Sequence, residues 1–285
     1  RKQAGAGDHL GINPAVPATC FPTAAAMANS WDEALGEEIG EALAEEAVTM
    51  GVNVILGPGL NIKRSPLCGR NFEYMSEDPH LTGRMAVPLV QGIQSQDVAA
   101  CVKHFALNNQ ECDRLSVDTK VDDKTLFELY LPAFYDALME GGSYSVMGAY
   151  NKYDGEFCCE NATLLKKILR DLWHYDGVTI SDWGGVHNTE KTALNGVDME
   201  MSVTPDFDDY KLANPLLEKV KSGKIDESVI DKRIERILTM MERIKLGDKT
   251  RNKGCTNTKD HQQTIQQIAE EGIVLLKNDT AHLPL

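Results

Sequence analysis

Short apolar runs alternate with longer stretches of helical periodicity along most of this chain. Leu35, Ile39, Leu43 and Ala47 recur at helical spacing behind a capping box of Ser30 and Glu33, which predicts a helix that ends before Gly51. The run Val52-Asn53-Val54-Ile55-Leu56 follows as a strand, and Gly57-Pro58-Gly59 breaks it into a long loop carrying Asn61, Arg64, Arg70 and Glu73. A helix over about 79–94 leads to the strand Val98-Ala99-Ala100-Cys101-Val102, which ends in Lys103-His104. A second helical pattern, through Leu126, Leu129, Phe134 and Leu138, leads to Tyr144-Ser145-Val146-Met147-Gly148-Ala149, which ends in Tyr150-Asn151. A helix over 163–172, a strand from Val178 to Ser181 and a helix over 187–194 repeat the order. Val197-Asp198-Met199-Glu200-Met201 reads as a further short strand with acidic residues at alternating positions. Strands interleaved with helices of this length indicate βαβ units and a parallel sheet.

Towards the end, Val229, Ile230, Ile234, Ile237, Leu238, Met241 and Ile244 mark an amphipathic helix over 226–245 that covers a core. Residues 247–258 are polar and turn-rich and read as a linker. A helix from about Asp260 to Glu271 then leads into Ile273-Val274-Leu275-Leu276-Lys277-Asn278.

The length of 285 residues suits one α/β barrel, which takes about 250. Acidic residues outnumber basic ones, 43 to 29, and the net charge of −14 argues against nucleic acid or an anionic membrane surface as partner. A neutral ligand is compatible with it. No run approaches the roughly 18 apolar residues of a membrane span, and no start resembling a signal peptide appears, although a chain that begins at Arg1 reads as cut. The seven cysteines show no CxxC or Cys/His ligand spacing, so no metal site is expected, and their scatter fits free thiols in a reducing, cytoplasmic compartment. Cys158-Cys159 read as loop or packing residues.

Three of the apolar runs end in polar groups that can point at one place: Lys103-His104, Tyr150-Asn151 and Ser181-Asp182-Trp183-Gly184-Gly185. Barrel enzymes put their chemistry at the carboxyl ends of strands. An N-cap aspartate followed by a packing tryptophan would look the same at Asp182 alone, and Lys103 or His104 alone would read as a surface lysine or a core histidine. The shared strand-end position favours a site.

Gly69-Arg70-Asn71-Phe72-Glu73-Tyr74-Met75-Ser76-Glu77-Asp78-Pro79, Lys103-His104-Phe105, Met147-Gly148-Ala149-Tyr150-Asn151 and Ser181-Asp182-Trp183-Gly184 resemble, in order and spacing, the N-terminal barrel of family 3 glycoside hydrolases, β-glucosidase branch. The resemblance runs essentially from Arg1 to Leu285. It implies a TIM-like (β/α)8 barrel over 1–246, truncated at its N-terminus, a linker over 247–258, and the first elements of an α/β sandwich domain over 259–285. It also implies hydrolysis of terminal β-D-glucosidic bonds with retention, without cofactor or metal, on a β-glucoside or short oligosaccharide. Asp182 is then the nucleophile, Arg70, Lys103 and His104 clamp the sugar hydroxyls, and Arg114, Tyr150 and Trp183 line the same pocket.

A retaining glycosidase needs an ionised carboxylate and a protonated carboxyl about 5–5.5 Å apart. Cations at Arg70, Lys103 and Arg114 would favour the charged form of Asp182, and Trp183 offers a flat face to a pyranose. The ends of the chain depart from the family pattern. The Asp-Gly-Pro string that normally precedes Arg1-Lys2-Gln3 is absent, and the acid/base Glu is expected in the remaining C-terminal part of the protein. The branch that cleaves N-acetylglucosaminides carries a Gly-rich Asp/His loop where this chain has Phe105-Ala106-Leu107-Asn108-Asn109-Gln110-Glu111. Glu111 and Asp113 are weaker acid candidates, and Glu200 reads as a structural or supporting group. A β-xylosidase or arabinosidase of the same family and a non-catalytic sugar-binding barrel stay open beside the β-glucosidase.

Overall fold

The computed structural model describes residues 18–280, 282 and 283. The stretch Arg1-Lys2-Gln3 and the end Pro284-Leu285 lie outside the described residues.

The described chain opens with α1 (Ala24–Ala28) and α2 (Glu33–Thr49). Asp32, not Ser30, caps α2: its Oδ1 accepts from the amides of Ala34 and Leu35 at 2.9 and 3.2 Å. Ser30 instead closes the end of α1, donating to the Met27 carbonyl at 2.7 Å, because Trp31 turns the chain at φ 58° and delivers the next residue to the cap position. Next come β1 (Val54–Ile55), α3 (Pro79–Ser95), β2 (Ala99–Phe105) and β3 (Asp118–Thr119). α4 (Asp123–Thr125) and α5 (Pro132–Tyr135) lie in one helical stretch with wider i→i+5 turns at Leu126–Tyr130 and Asp136–Glu140. β4 (Ser145–Gly148), β5 (Lys152–Tyr153) and β6 (Glu156–Phe157) precede a wide-turned helix, Thr163–Leu172. β7 (Val178–Ile180), α6 (Thr189–Asn195), α7 (Asn214–Lys221), α8 (Ser228–Arg243) and α9 (Lys259–Glu271) complete the order.

The main sheet runs β1-β2-β4-β7, with every pair parallel. Helical crossovers between successive strands give it the α/β architecture of a TIM-like barrel. The expected strand over 197–201 is reduced to one parallel bridge, Ile180 to Met199. Its acidic positions are engaged elsewhere: the Asp198 carboxylate binds Arg170, Arg236 and the Thr179 amide, and Glu200 Oε2 accepts from the Leu212 amide at 2.7 Å. Strand β2 is buried on both faces, as a central parallel strand must be. Ala100, Val102 and Phe105 join the core under α2 and α3, while Ala99 and Cys101 pack with Met147, Val178, Ile180 and Met240.

Helices α2 and α3 cross where glycines let their backbones touch. A Cβ on Gly40 would stand 2.5 Å from the Leu89 carbonyl, and one on Gly92 2.2 Å from that of Glu37. Backbone atoms cannot swing aside, so Gly92→Ala should destabilise by about 1–3 kcal/mol or more. A thermal melt checks this, and an unchanged midpoint would show that the crossing can open.

A second, small sheet, β3-β5-β6, is built from the connections that follow β2 and β4, and so lies on the side where those strands end. Short paired segments inside loops leave no apolar period, which is why the sequence did not predict it. Helix α9 docks on the barrel by burying Ile268 in the main core. The stretch over 247–258 is pinned to the same body: Arg251 donates to Asn53 Oδ1 at 2.7 Å and to the Asp97 carbonyl at 3.0 Å. Beyond α9, Ile273 and Leu276 are 77% and 92% exposed, in no strand.

Candidate active site

The loop after β1 folds back over β2, with Gly59 bridged to both Tyr74 and Lys103. It carries the group that fixes the strand end. Asn61, itself buried, accepts from the His104 amide at 2.9 Å and donates to the His104 carbonyl at 3.0 Å. With both backbone groups of His104 held, the imidazole is aimed by Arg70 Nη2 at 3.0 Å from Nε2 and by the Tyr74 hydroxyl at 3.2 Å from Nδ1.

Arginine only donates, so His104 Nε2 is an acceptor and the ring proton sits on Nδ1, where it can be donated to Tyr74. Burial, with Arg70, Lys103 and Arg114 adding to it, pushes the His104 pKa well below the ordinary histidine value. The ring is therefore neutral, and its approach to 3.7 Å from Asp182 Oδ2 is not an ion pair. An incoming hydroxyl that reached Nε2 would share it with Arg70.

Arg70 also binds Glu73, and Lys103 Nζ lies 3.4 Å from the other oxygen of that carboxylate. Glu73 thus tethers both cations. Arg114 pairs with Glu111 at 2.8 Å and lies over the Tyr150 ring at 5.0 Å from its centroid. Trp183 is 46% exposed and presents a free face beside Asp182.

Asp182 follows β7 and is 4% exposed. Its turn requires Gly184 at φ 71°, and the Trp183 amide donates to Asp182 Oδ1 at 2.9 Å. Oδ2 is buried and accepts no hydrogen bond from any described residue. Desolvation raises the Asp182 pKa, and it outweighs the opposing help of the Trp183 amide, Arg70, Tyr150 and Lys103. The cations do favour the charged form as the sequence suggested, but burial wins. The neighbouring Tyr150 hydroxyl is pushed up to about 12, mainly by burial and then by the Asp182 charge.

Six of the residues named from the sequence, Arg70, Lys103, His104, Arg114, Tyr150 and Trp183, thus gather around the seventh, Asp182. Asn61, Glu73 and Tyr74 were missing from that set. The last two stand inside the string Arg70-Asn71-Phe72-Glu73-Tyr74, whereas nothing in the sequence marks Asn61 as the clamp on a strand 43 residues away. Cys158 and Cys159 are fully buried and pack, with the Cys158 thiol 3.3 Å from the Ala106 carbonyl.

Asn61→Ala should leave the His104 backbone groups without partners and let the ring drift. A misplacement of about 1 Å can cost on the order of 10²-fold in rate. Steady-state kinetics beside a melt will separate this from unfolding, and an unaltered kcat/KM would show that the clamp does not position the ring.

A parallel α/β barrel with a buried carboxylate at a strand end, ringed by basic and aromatic side chains, has the layout of a barrel hydrolase. The chain belongs to glycosyl hydrolase family 3: the family's N terminal domain matches residues 9–240. It is 46% identical to the thermostable beta-glucosidase B of Acetivibrio thermocellus over 286 residues, covering 100% of this chain and 37% of that protein. It is also 40% identical to an exo-alpha-(1->6)-L-arabinopyranosidase of Bifidobacterium longum, over 96% of this chain and 35% of the relative. The structure of beta-glucosidase 3B from Thermotoga neapolitana in complex with glucose superposes with a TM-score of 0.86 at 40% identity, over 94% of this chain and 38% of that one. The chain thus spans little more than a third of the length of these relatives.

Proposed function

We propose that this chain is the nucleophile-bearing barrel of a retaining β-glucosidase acting on terminal β-D-glucosidic bonds of a β-glucoside or short oligosaccharide. The observation that carries this is Asp182 Oδ2, a buried carboxylate oxygen that meets no well-formed hydrogen bond among the described residues, set among Arg70, Lys103 and His104 with the Tyr150 hydroxyl close to the carboxylate. Leaving a buried acceptor unmade costs about 1–3 kcal/mol, a cost that makes sense if the missing partner is the substrate. Oδ2 attacks the anomeric carbon as the glycosidic C–O bond breaks and the leaving oxygen takes a proton from a carboxylic acid. Water then cleaves the glycosyl ester with that same carboxylate as base, so two inversions give net retention.

Glu111 is committed to Arg114 and Glu200 to the Leu212 amide, and Asp113 is an exposed loop residue. These engagements support the proposal that the acid/base lies in a further C-terminal part, which relatives of nearly three times this length have room for. The barrel over 1–246, linker over 247–258 and sandwich start over 259–285 fit this division of labour. An open cleft of about 680 Å³ beside Trp183, lined by Met199, Met201, Phe207 and Tyr210, could receive the leaving group.

Incubation with a 2-fluoro glucoside should trap one labelled peptide, the one holding Asp182. A label elsewhere, or an inverted product by NMR, would remove the assignment. The arabinopyranosidase relative supports a second reading, a pentoside-cleaving enzyme with the same nucleophile and clamp. Comparing kcat/KM on nitrophenyl β-D-glucopyranoside and α-L-arabinopyranoside decides between them. Glucose binding without turnover of either would point instead to a sugar-binding barrel.

A further inference from the structure

Outside the residues of the candidate active site, three ligand-type side chains from α2, the segment before α9 and α9 itself converge. Cys255 Sγ lies 2.9 Å from Glu45 Oε2 and 3.8 Å from His261 Nε2, and Glu45 Oε2 lies 2.9 Å from the same ring nitrogen. The other ring nitrogen, Nδ1, is 3.1 Å from Glu46 Oε1. Glu46 is buried and fixed in place: it also accepts from the Thr19 amide and hydroxyl and from the Asn257 amide. We propose that Glu45, Cys255 and His261 form a zinc-binding site that staples the segment before α9 to helix α2.

The donor set is one that zinc takes: thiolate sulfur, imidazole nitrogen and carboxylate oxygen, with a fourth position open to solvent. The Glu46 carboxylate on the far side of the ring is the partner that metal-bound histidines nearly always have, and with Nδ1–H donated to it the Nε2 lone pair faces Glu45 and Cys255. Once Nδ1 carries the ring proton, Nε2 and Glu45 Oε2 are two acceptors 2.9 Å apart, and a cation between them removes the repulsion. Tetrahedral zinc with bonds of about 2.0–2.3 Å sets its ligand atoms roughly 3.4–3.6 Å apart. Sulfur and nitrogen already stand close to that spacing. Glu45 must withdraw by about half an ångström, and its side chain, 30% exposed, is free to do so.

Glu38, Glu41 and Asp260 line the same pocket, so its field is negative. Without metal the Cys255 thiol donates to Glu45, and that bond first, then burial, pushes its pKa up to about 11. Zinc replaces this proton, so binding forms a Zn–S bond and releases one H⁺. The linear spacing of Cys255 and His261 did not suggest a metal, because the remaining ligand comes from a helix 210 residues earlier.

Chelator-treated protein is titrated with Co²⁺ as the optical probe and then with Zn²⁺. One Co²⁺ per chain should bind with a thiolate-to-cobalt charge-transfer band that Zn²⁺ abolishes, and Zn²⁺ should raise the melting temperature. Cys255→Ser keeps a donor to Glu45 and should melt as the metal-free protein does, yet lack the band and the zinc-induced shift. Glu46→Gln should weaken zinc binding about 10–100-fold. No band in the unaltered protein, or equal zinc affinity in Cys255→Ser, would overturn the site and leave the cluster as an imidazolium held between two carboxylates.

Discussion

Asp182→Asn should cost at least about 10⁴-fold in kcat, the scale on which removing a nucleophilic unit acts, while the variant melts at a higher temperature than the unaltered protein. Both effects come from one atom. Among the described residues Oδ2 is the one buried carboxylate oxygen without a hydrogen-bond partner, so its loss should stop the glycosyl ester from forming. The same carboxylate is costly to keep ionised, because burial raises its pKa in the folded state. A group with a raised folded pKa contributes stability that is full below its unfolded pKa, near 3.9, and lost as pH climbs through the folded value. At neutral pH the charged Asp182 therefore opposes folding, and a neutral amide of equal size relieves it. The gain in melting temperature should shrink as pH falls below the carboxylate range. Measuring kcat/KM and melts from pH 3 to pH 8 tests both halves. Retained turnover would remove Asp182 as nucleophile, and a lower melting temperature at neutral pH would show that its cations outweigh its burial.

The second large effect is on stability alone. Asp198 has no exposed side-chain surface, and its Oδ2 accepts from Arg170 at 3.1 Å and from the Thr179 amide at 2.8 Å. Its Oδ1 accepts from Arg236 through Nε at 3.0 Å and Nη2 at 2.6 Å. Asp198→Ala strands two guanidinium groups around a cavity, and breaking a buried pair from one side costs about 3–5 kcal/mol. For a domain of this size that lowers the melting temperature by on the order of 10 °C. Asp198→Asn, which keeps the shape and some acceptors, should lose less. Turnover per folded molecule should stay within a few-fold for both. A collapse of kcat without a fall in melting temperature would instead make Asp198 part of the chemistry, although Arg170 also holds the Tyr175 and Gly177 carbonyls at the entry to β7, as a structural pin would.

Periodicity along the chain was enough for the alternating helices and parallel strands and for the position of the three strand ends, because strand and helix periods record which side chains are buried. The strand-end positions of Lys103, His104, Tyr150 and Asp182 mark side chains that a barrel brings to one rim, whereas Arg70 joined them only through the family resemblance. Periodicity did not determine the cap of α2, where Trp31 shifts the helix start to Asp32, nor the small β3-β5-β6 sheet, whose pairing has no periodic signature. The balance of charge at Asp182 comes from the packed fold: counting cations predicts a lowered pKa, but desolvation depends on how completely the site excludes water. The same holds for Asn61 on His104 and for Glu45 with Cys255 and His261. Periodicity reports which face of an element is buried, whereas hydrogen bonds and ligand sets depend on sub-ångström distances between segments far apart in sequence, and those exist only after the helices have packed onto the sheet.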